Sequence, residues 1–221
     1  MSISIPGKII AFDYGEVISI EPSTADRAEI LRVAGAQDEP ERFWNIYWLH
    51  RFALDQGTIG PKEYWRRIEH DLGAQWDTAQ HHELWLRDFR SWLAIEEGTL
   101  AVLIDLQRGG TRMALLSNAG LDFTSYYRHG MLGDFFEEVV VSGELGLLKP
   151  EPAIYHELIE RVGVPPADIV FIDNRAENIA GAAALGIAGH VYEGPGELRA
   201  FLTGLAESVK ASSAVPPHVV L

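Results

Sequence analysis

Five short runs of the chain are almost continuously apolar: KIIAFD (8–13), RMALLSN (112–118), FEEVVVS (136–142), DIVFID (168–173) and AGHVYEG (188–194). Runs of this length suit strands that are covered on both faces. Around them lie stretches of helical period. TLAVLIDLQRGG ends in the paired glycines Gly109 and Gly110, PEPAIYHELIERVG places prolines near its first turn and ends at Gly163, and RAENIAGAAALG ends at Gly186. Proline at the start and glycine just past the end are helix punctuation. Strand and helix in alternation predict a parallel sheet with right-handed crossovers.

One region breaks this rhythm. Residues 21–95 contain no strand pattern and read as four helices: TADRAEILRVAG, EPERFWNIYWLHRFAL, GPKEYWRRIEHDLG and TAQHHELWLRDFRSWL. All six tryptophans (Trp44, Trp48, Trp65, Trp76, Trp85 and Trp92) fall inside it. Period and composition change together, so 21–95 reads as a helical unit inserted into an α/β core made of 1–20 and 96–207. The tryptophans are expected to glue that small bundle together; spacing does not assign any of them to a ligand. The end of the chain, 208–221, reads as a flexible tail.

Composition narrows the partners. A formal charge of −14 over 221 residues disfavours nucleic acid or an anionic membrane, both of which need a basic footprint. The absence of cysteine removes disulfides, thiolate metal sites and thiol nucleophiles. MSISIPGKIIAFD lacks the basic start and long apolar run of a signal peptide. No apolar stretch reaches the ~18 residues expected of a spanning helix. The expectation is a soluble, cytoplasmic protein, monomeric or homodimeric.

Candidate chemistry sits at the strand ends. Asp13 ends the first, Ser117 and Asn118 the second, and Asp173 and Asn174 the fourth. Lys149 follows the third, beside the next helix. Ligands of open α/β sheets bind at the carboxyl ends of the strands. Any one of these residues alone reads as a cap or a turn residue; together, and in this order, they mark a site.

FDYGEVI, LLSNAG, GLLKPEPAIY and VFIDNRAENIAGAAALG together resemble the four motifs of the haloacid dehalogenase-like hydrolases. The resemblance covers roughly residues 7 to 205. Gly15, two places after Asp13, and DNRAENI look most like the bacterial sugar-phosphate phosphatase branch, which includes the N-terminal domains of soluble epoxide hydrolases. The resemblance implies a Rossmann-like parallel sheet with the first strand central, the second and third on one side and the fourth and fifth on the other. It also implies an α-helical cap inserted between the first and second motifs. Asp13 and Asp173 would then stand on adjacent strands, ~4.8 Å apart. Two such carboxylates repel unless a cation lies between them, and Mg²⁺ held by Asp13, Asp173 and the Gly15 carbonyl is the implied solution. Asp13 would attack phosphorus, Ser117 and Asn118 would bind the phosphoryl oxygens, and Lys149 would offset their charge. Asn174 and Glu177 would support the metal ligands or merely cap the following helix.

Most phosphatases of this family carry an acid–base aspartate where this chain has Gly15. Glu16, His50 and metal-bound water are the candidates to replace it as proton donor. The reading is a Mg²⁺-dependent phosphatase acting on a small phosphorylated metabolite, such as a sugar phosphate. The alternatives are a catalytically silent binding protein, supported by Gly15, and a dehalogenase, opposed by the presence of Asp173.

Overall fold

The computed structural model describes residues 2–213. The chain runs β1 (Ile9–Phe12), α1 (Thr24–Ala34), α2 (Pro40–Asp55), α3 (Pro61–Leu72), α4 (Thr78–Ser91), α5 (Glu97–Arg108), β2 (Arg112–Ser117), α6 (Leu121–His129), β3 (Glu138–Val141), α7 (Ser142–Leu145), α8 (Pro152–Val162), β4 (Ile169–Asp173), α9 (Ala176–Ala183), β5 (Ala188–Val191) and α10 (Pro195–Ser213). The five strands form one parallel sheet in the order β3-β2-β1-β4-β5. That is the order the resemblance implied, with β1 in the centre.

Alternation along β1 builds the two faces of the core. Ile10 and Phe12 join a cluster with Val102 and Leu106 of α5, Phe123 of α6, and Leu198 and Leu202 of α10. Ile9 and Ala11 point the other way, against Ile154 and Leu158 of α8 and Ala182 of α9. Helices on both faces explain why β1 to β4 carry little polarity. β5 differs: it is an edge strand and is partly exposed.

The insert folds as four helices around Phe43, Tyr47, Tyr64, Trp65, Ile68 and Leu84. Local signals fix their ends. Ser23 with Asp26, and Asp77 with Gln80, form reciprocal capping boxes at the starts of α1 and α4. Pro40 and Pro61 occupy the first helical positions of α2 and α3. Trp65 and Trp76 are buried in this unit, and Trp44 and Trp85 pack against it. Trp48 is 46% exposed, and Trp92 packs against the sheet-side core.

The chain enters and leaves the insert side by side. Ser19 pairs antiparallel with Ile95, Ile20 N–H donates to Ala94 O at 2.9 Å, and Glu96 N–H donates to Ile18 O at 2.9 Å. A second contact lies at the far end of α2. The Ser142 hydroxyl donates to Asp55 O at 2.5 Å, and Gln56 Nε2 donates to Gly146 O at 3.0 Å. Gly57, at φ 75°, packs so tightly that a Cβ there would lie 2.0 Å from Gly143 O.

Two features differ from the sequence reading. Residues 208–213, expected within a flexible tail, continue α10, whose buried face includes Leu198, Leu202 and Ala206. The remainder of that tail, 214–221, lies outside the described residues. α6 carries little helix signal of its own; FTSYYRH has β-branched and aromatic residues of modest helix propensity, and its burial of Phe123 and Tyr127 supplies the stabilisation. Among the described residues no helix is long and apolar enough to cross a membrane.

Candidate active site

Register brings the strand-end residues to one level. Phe12 pairs with Leu115 on one side and Ile172 on the other, so the next residues, Asp13 and Asp173, leave adjacent strands together. Lys149 Nζ lies 2.8 Å from Asp13 Oδ1 and 2.8 Å from Asp173 Oδ2, and it donates to Leu116 O at 3.0 Å. All three side chains are buried. One ammonium therefore stands between two carboxylates and leaves one negative charge uncompensated. Burial pushes the Asp13 carboxyl up to about 7; Lys149 opposes that rise and Asp173 adds to it.

Each of these groups is held by a neighbour. Asp13 Oδ1 accepts from Tyr14 N–H at 2.7 Å. Asp173 accepts from Arg175 N–H at 2.8 Å and from Asn178 Nδ2 at 2.9 and 3.1 Å. Asn178 belongs to the DNRAENI segment, but its role is not read from the sequence; it lies in the first turn of α9, just after Asp173. Asn118 lines the cavity at this site, and its side chain clamps Lys149: its Nδ2 donates to Lys149 O at 3.0 Å, and its Oδ1 accepts from Lys149 N–H at 2.9 Å. The Ser117 hydroxyl is buried, 3.5 Å from Tyr127 OH.

These groups, except Asp173, which is buried beneath them, floor a cavity of about 280 Å³ between sheet and insert. Gly15, Glu16, Asn174 and Glu177 line it as well. The left-handed backbone of the β1 turn falls on Glu16 (φ 60°) and not on Gly15. A Cβ at Gly15 would meet nothing closer than Trp92 Cζ3 at 3.9 Å, so the backbone there does not require glycine. Glu16 is exposed and its Oε2 accepts from Asn174 Nδ2 at 3.0 Å. Asn174 Oδ1, by contrast, is buried with no hydrogen-bond partner.

The roof comes from one face of α2. Trp48, Arg51, Phe52 and Asp55 follow the i, i+3, i+4, i+7 spacing of a single helix stripe and all line the cavity. His50, the other side-chain candidate for proton donor, is not among the lining residues. It points to the far side of the insert, with Nε2 2.7 Å from Asp71 Oδ2. The neighbouring residue on the helix, about 100° around the axis, is Arg51. Arg51 Nε donates to Asp55 Oδ1 at 2.9 Å, and its Nη1 donates to Tyr47 OH at 2.7 Å and lies 3.4 Å from Asp88 Oδ2. Trp92 closes the side, its ring 5.9 Å from the Arg51 guanidinium.

Hard oxygen donors gather at the floor: the Asp13 carboxylate and the orphaned Asn174 Oδ1 on residues that line the cavity, with the Gly15 backbone beside them and the Asp173 carboxylate buried just beneath. Among the described residues no three His, Cys, Asp or Glu side chains cluster as a ready-made metal cage. A cation here would need backbone and ligand oxygens to complete its shell, which suits a hard ion that keeps part of its coordination for water and phosphate.

Known phosphatases and family enzymes resemble this chain over most or part of its length. The chain is similar over 205 residues, at 24% identity and covering 90% of this chain and 91% of the other, to a protein named phosphatase MT3486 from Mycobacterium tuberculosis. Over 93 residues it is 37% identical to a glyceraldehyde 3-phosphate phosphatase from Methanothermobacter thermautotrophicus, a match spanning 41% of each chain. Among solved structures, the enzyme BT-2542 from Bacteroides thetaiotaomicron superposes with a TM-score of 0.67 at 25% identity. That match covers 85% of this chain and 94% of the other, in an aspartate-to-alanine mutant form bound to magnesium and inorganic phosphate. The family model for haloacid dehalogenase-like hydrolases matches residues 8–186, and this chain belongs to that family.

Proposed function

We propose that the chain is a Mg²⁺-dependent phosphomonoesterase that hydrolyses a small phosphorylated metabolite, with Asp13 as nucleophile. The observation that carries this reading is the pair of buried carboxylates on adjacent strand tips with Lys149 between them. Asp173, its oxygens already fixed by Asn178 and the Arg175 N–H, is set to hold a cation in place. Asp13 Oδ1 is fixed by Tyr14 N–H and Lys149, which aims the carboxylate into the cavity for attack on phosphorus. Ser117 and the Lys149 ammonium face the phosphoryl oxygens and offset the charge that develops on them. The oxygen-rich floor and the orphaned Asn174 Oδ1 fit Mg²⁺. Bound there, Mg²⁺ would neutralise the carboxylates and polarise the phosphoryl group.

The similarity to phosphatases and to a magnesium–phosphate complex supports phosphate as the ligand. Asp173 opposes carbon–halogen hydrolysis, which needs no metal. Gly15 favours a non-catalytic binder, and assay decides between them. The test is hydrolysis of p-nitrophenyl phosphate with Mg²⁺ and with EDTA, beside Asp13→Asn. The expected result is turnover that needs the metal and disappears in the variant. Absence of turnover in the folded, Mg²⁺-supplied protein would contradict the reading.

A further inference from the structure

Gly15 leaves a phosphomonoesterase without the acid that would protonate its leaving group. Of the two side-chain candidates, His50 faces away from the cavity and Glu16 is exposed and engaged by Asn174. The roof, however, carries a carboxyl that the floor lacks. Asp55 lies on the cavity-facing stripe of α2, its side chain 16% exposed. Its Oδ1 is taken by Arg51 Nε, and among the described residues nothing donates to Oδ2. Its main-chain oxygen is tied to Ser142 at the insert–core contact, so the residue is positioned from both sides.

We propose that Asp55 is the proton donor of this site, taking from the roof the part that an aspartate at position 15 would play from the floor. Charge counting supports a proton there. Arg51 faces two buried carboxylates, Asp55 of its own helix at 2.9 Å and Asp88 of α4 at 3.4 Å. One guanidinium neutralises one carboxylate, and Asp122 of α6 adds a further negative charge nearby. Asp88 does not line the cavity; burial holds its carboxyl above the ordinary range, against the pull of Arg51 and of the Tyr47 hydroxyl that donates to its Oδ1 at 2.6 Å. Of the two carboxyls that share Arg51, Asp55 is the one that faces the cavity and so the one that can pass a proton to a ligand there. Burial, with Asp88 and Asp122, pushes the Asp55 carboxyl up to about 6 against the pull of Arg51. That lies in the range where one group serves as both acid and base near neutral pH.

The proposal rests on the phosphatase reading. Asp13 attacks phosphorus, the bond from phosphorus to the organic oxygen breaks, and the Asp55 proton passes to that oxygen, releasing a neutral alcohol. Asp55, now a carboxylate, removes a proton from the water whose oxygen attacks the phosphorus of the aspartyl phosphate. The bond to Asp13 breaks, phosphate leaves, and both carboxyl groups return to their starting states.

The test compares esters that differ in their need for a proton. In Asp55→Asn, kcat/KM on 2-phenylethyl phosphate, a poor leaving group, is expected to fall about a hundredfold or more, while that on p-nitrophenyl phosphate falls less than about fivefold. In the unaltered enzyme, a plot of log kcat/KM against leaving-group pKa for substituted phenyl phosphates is expected to be shallow, and steep in the variant. Adding Gly15→Asp to Asp55→Asn is expected to restore the alkyl ester, because position 15 has room for a side chain. Equal losses on both esters, or a steep plot in the unaltered enzyme, would overturn the proposal and leave Asp55 a structural partner of Arg51. Should Asp55→Asn not fold, Asp55→Ser is read on the same plot. If p-nitrophenyl phosphate is not hydrolysed by the unaltered enzyme, the phosphatase reading fails first and this proposal with it.

Discussion

Lys149 and Asp173 form an ion pair with neither member in contact with solvent: Nζ lies 2.8 Å from Oδ2, and the side chains are 1% and 0% exposed. A pair so buried is costly to desolvate, and it persists only where further hydrogen bonds satisfy both charges. Here Asn178, Arg175 N–H and Leu116 O supply them. The arrangement holds Asp173 and Lys149 together beneath the cavity, with the ammonium within reach of Asp13.

Replacing Lys149 by methionine removes the cation and keeps much of the volume. In metal-free buffer the variant is expected to lose about 3 kcal/mol of stability in urea unfolding, because two buried carboxylates are left facing each other. Its kcat/KM on p-nitrophenyl phosphate is expected to fall at least about a hundredfold. A variant as active as the parent would remove Lys149 from the phosphate site.

Two glycines respond oppositely to a methyl group. Gly15→Ala is expected to leave the thermal midpoint nearly unchanged, since its Cβ meets only Trp92 at 3.9 Å. Gly57→Ala is expected to destabilise by at least ~1 kcal/mol, because φ is 75° and the Cβ would collide with Gly143 O. Its collision lies at the contact that seats α2 on α7, so KM is expected to rise as well. Differential scanning calorimetry of the two variants side by side checks the contrast.

Stability is expected to carry the Asp55 titration. The ordinary carboxyl value of 3.8 rises to about 6 in the fold. The native state therefore holds more protons than the unfolded chain between these values, and the contribution to stability is present below pH ~4 and lost as pH rises through ~6. Unfolding of the parent and of Asp55→Asn, compared at each pH from 4 to 7, is expected to show the parent losing on the order of 2 kcal/mol relative to the variant. A constant difference across that range would place Asp55 ionised throughout.

Ser142 holds the insert to the core through one oxygen, which accepts from Ala119 N–H at 2.9 Å and donates to Asp55 O. Ser142→Ala leaves the buried Ala119 N–H without its acceptor, a cost of about 1–3 kcal/mol. The alkyl-ester kcat/KM is expected to fall more than the p-nitrophenyl value, because the freed end of α2 carries Asp55. Equal rates on both esters would separate this contact from catalysis.

The sheet was legible because β1 to β4 are mostly apolar on both faces, and the floor was legible because chemistry-bearing residues stand at or beyond the ends of those strands. Asp13, Ser117 and Asp173 each close an apolar run that fixes their place, while Lys149 stands beyond α7, next to the prolines that open α8. The roof was not legible. α2 is aromatic or apolar around much of its circumference (Phe43, Trp44, Tyr47, Trp48, Leu49, Phe52), so periodicity does not say which stripe faces the sheet. His50 and Arg51 are adjacent in sequence, yet only Arg51 reaches the cavity. The contact of the Asn118 side chain with the Lys149 backbone, 31 residues away, is not visible in a linear pattern. The α10 extension was hidden because its last turns are polar and its burial comes from residues farther upstream.

The central claim is that Asp13 carries the phosphoryl group. Quenching steady-state hydrolysis of p-nitrophenyl phosphate with borohydride and mapping the peptide that contains residue 13 tests it most directly. The account predicts reduction of an acyl phosphate at that position to homoserine, dependent on Mg²⁺ and on substrate. Turnover under the same conditions with Asp13 unmodified, or with the reduced residue elsewhere in the chain, would contradict it.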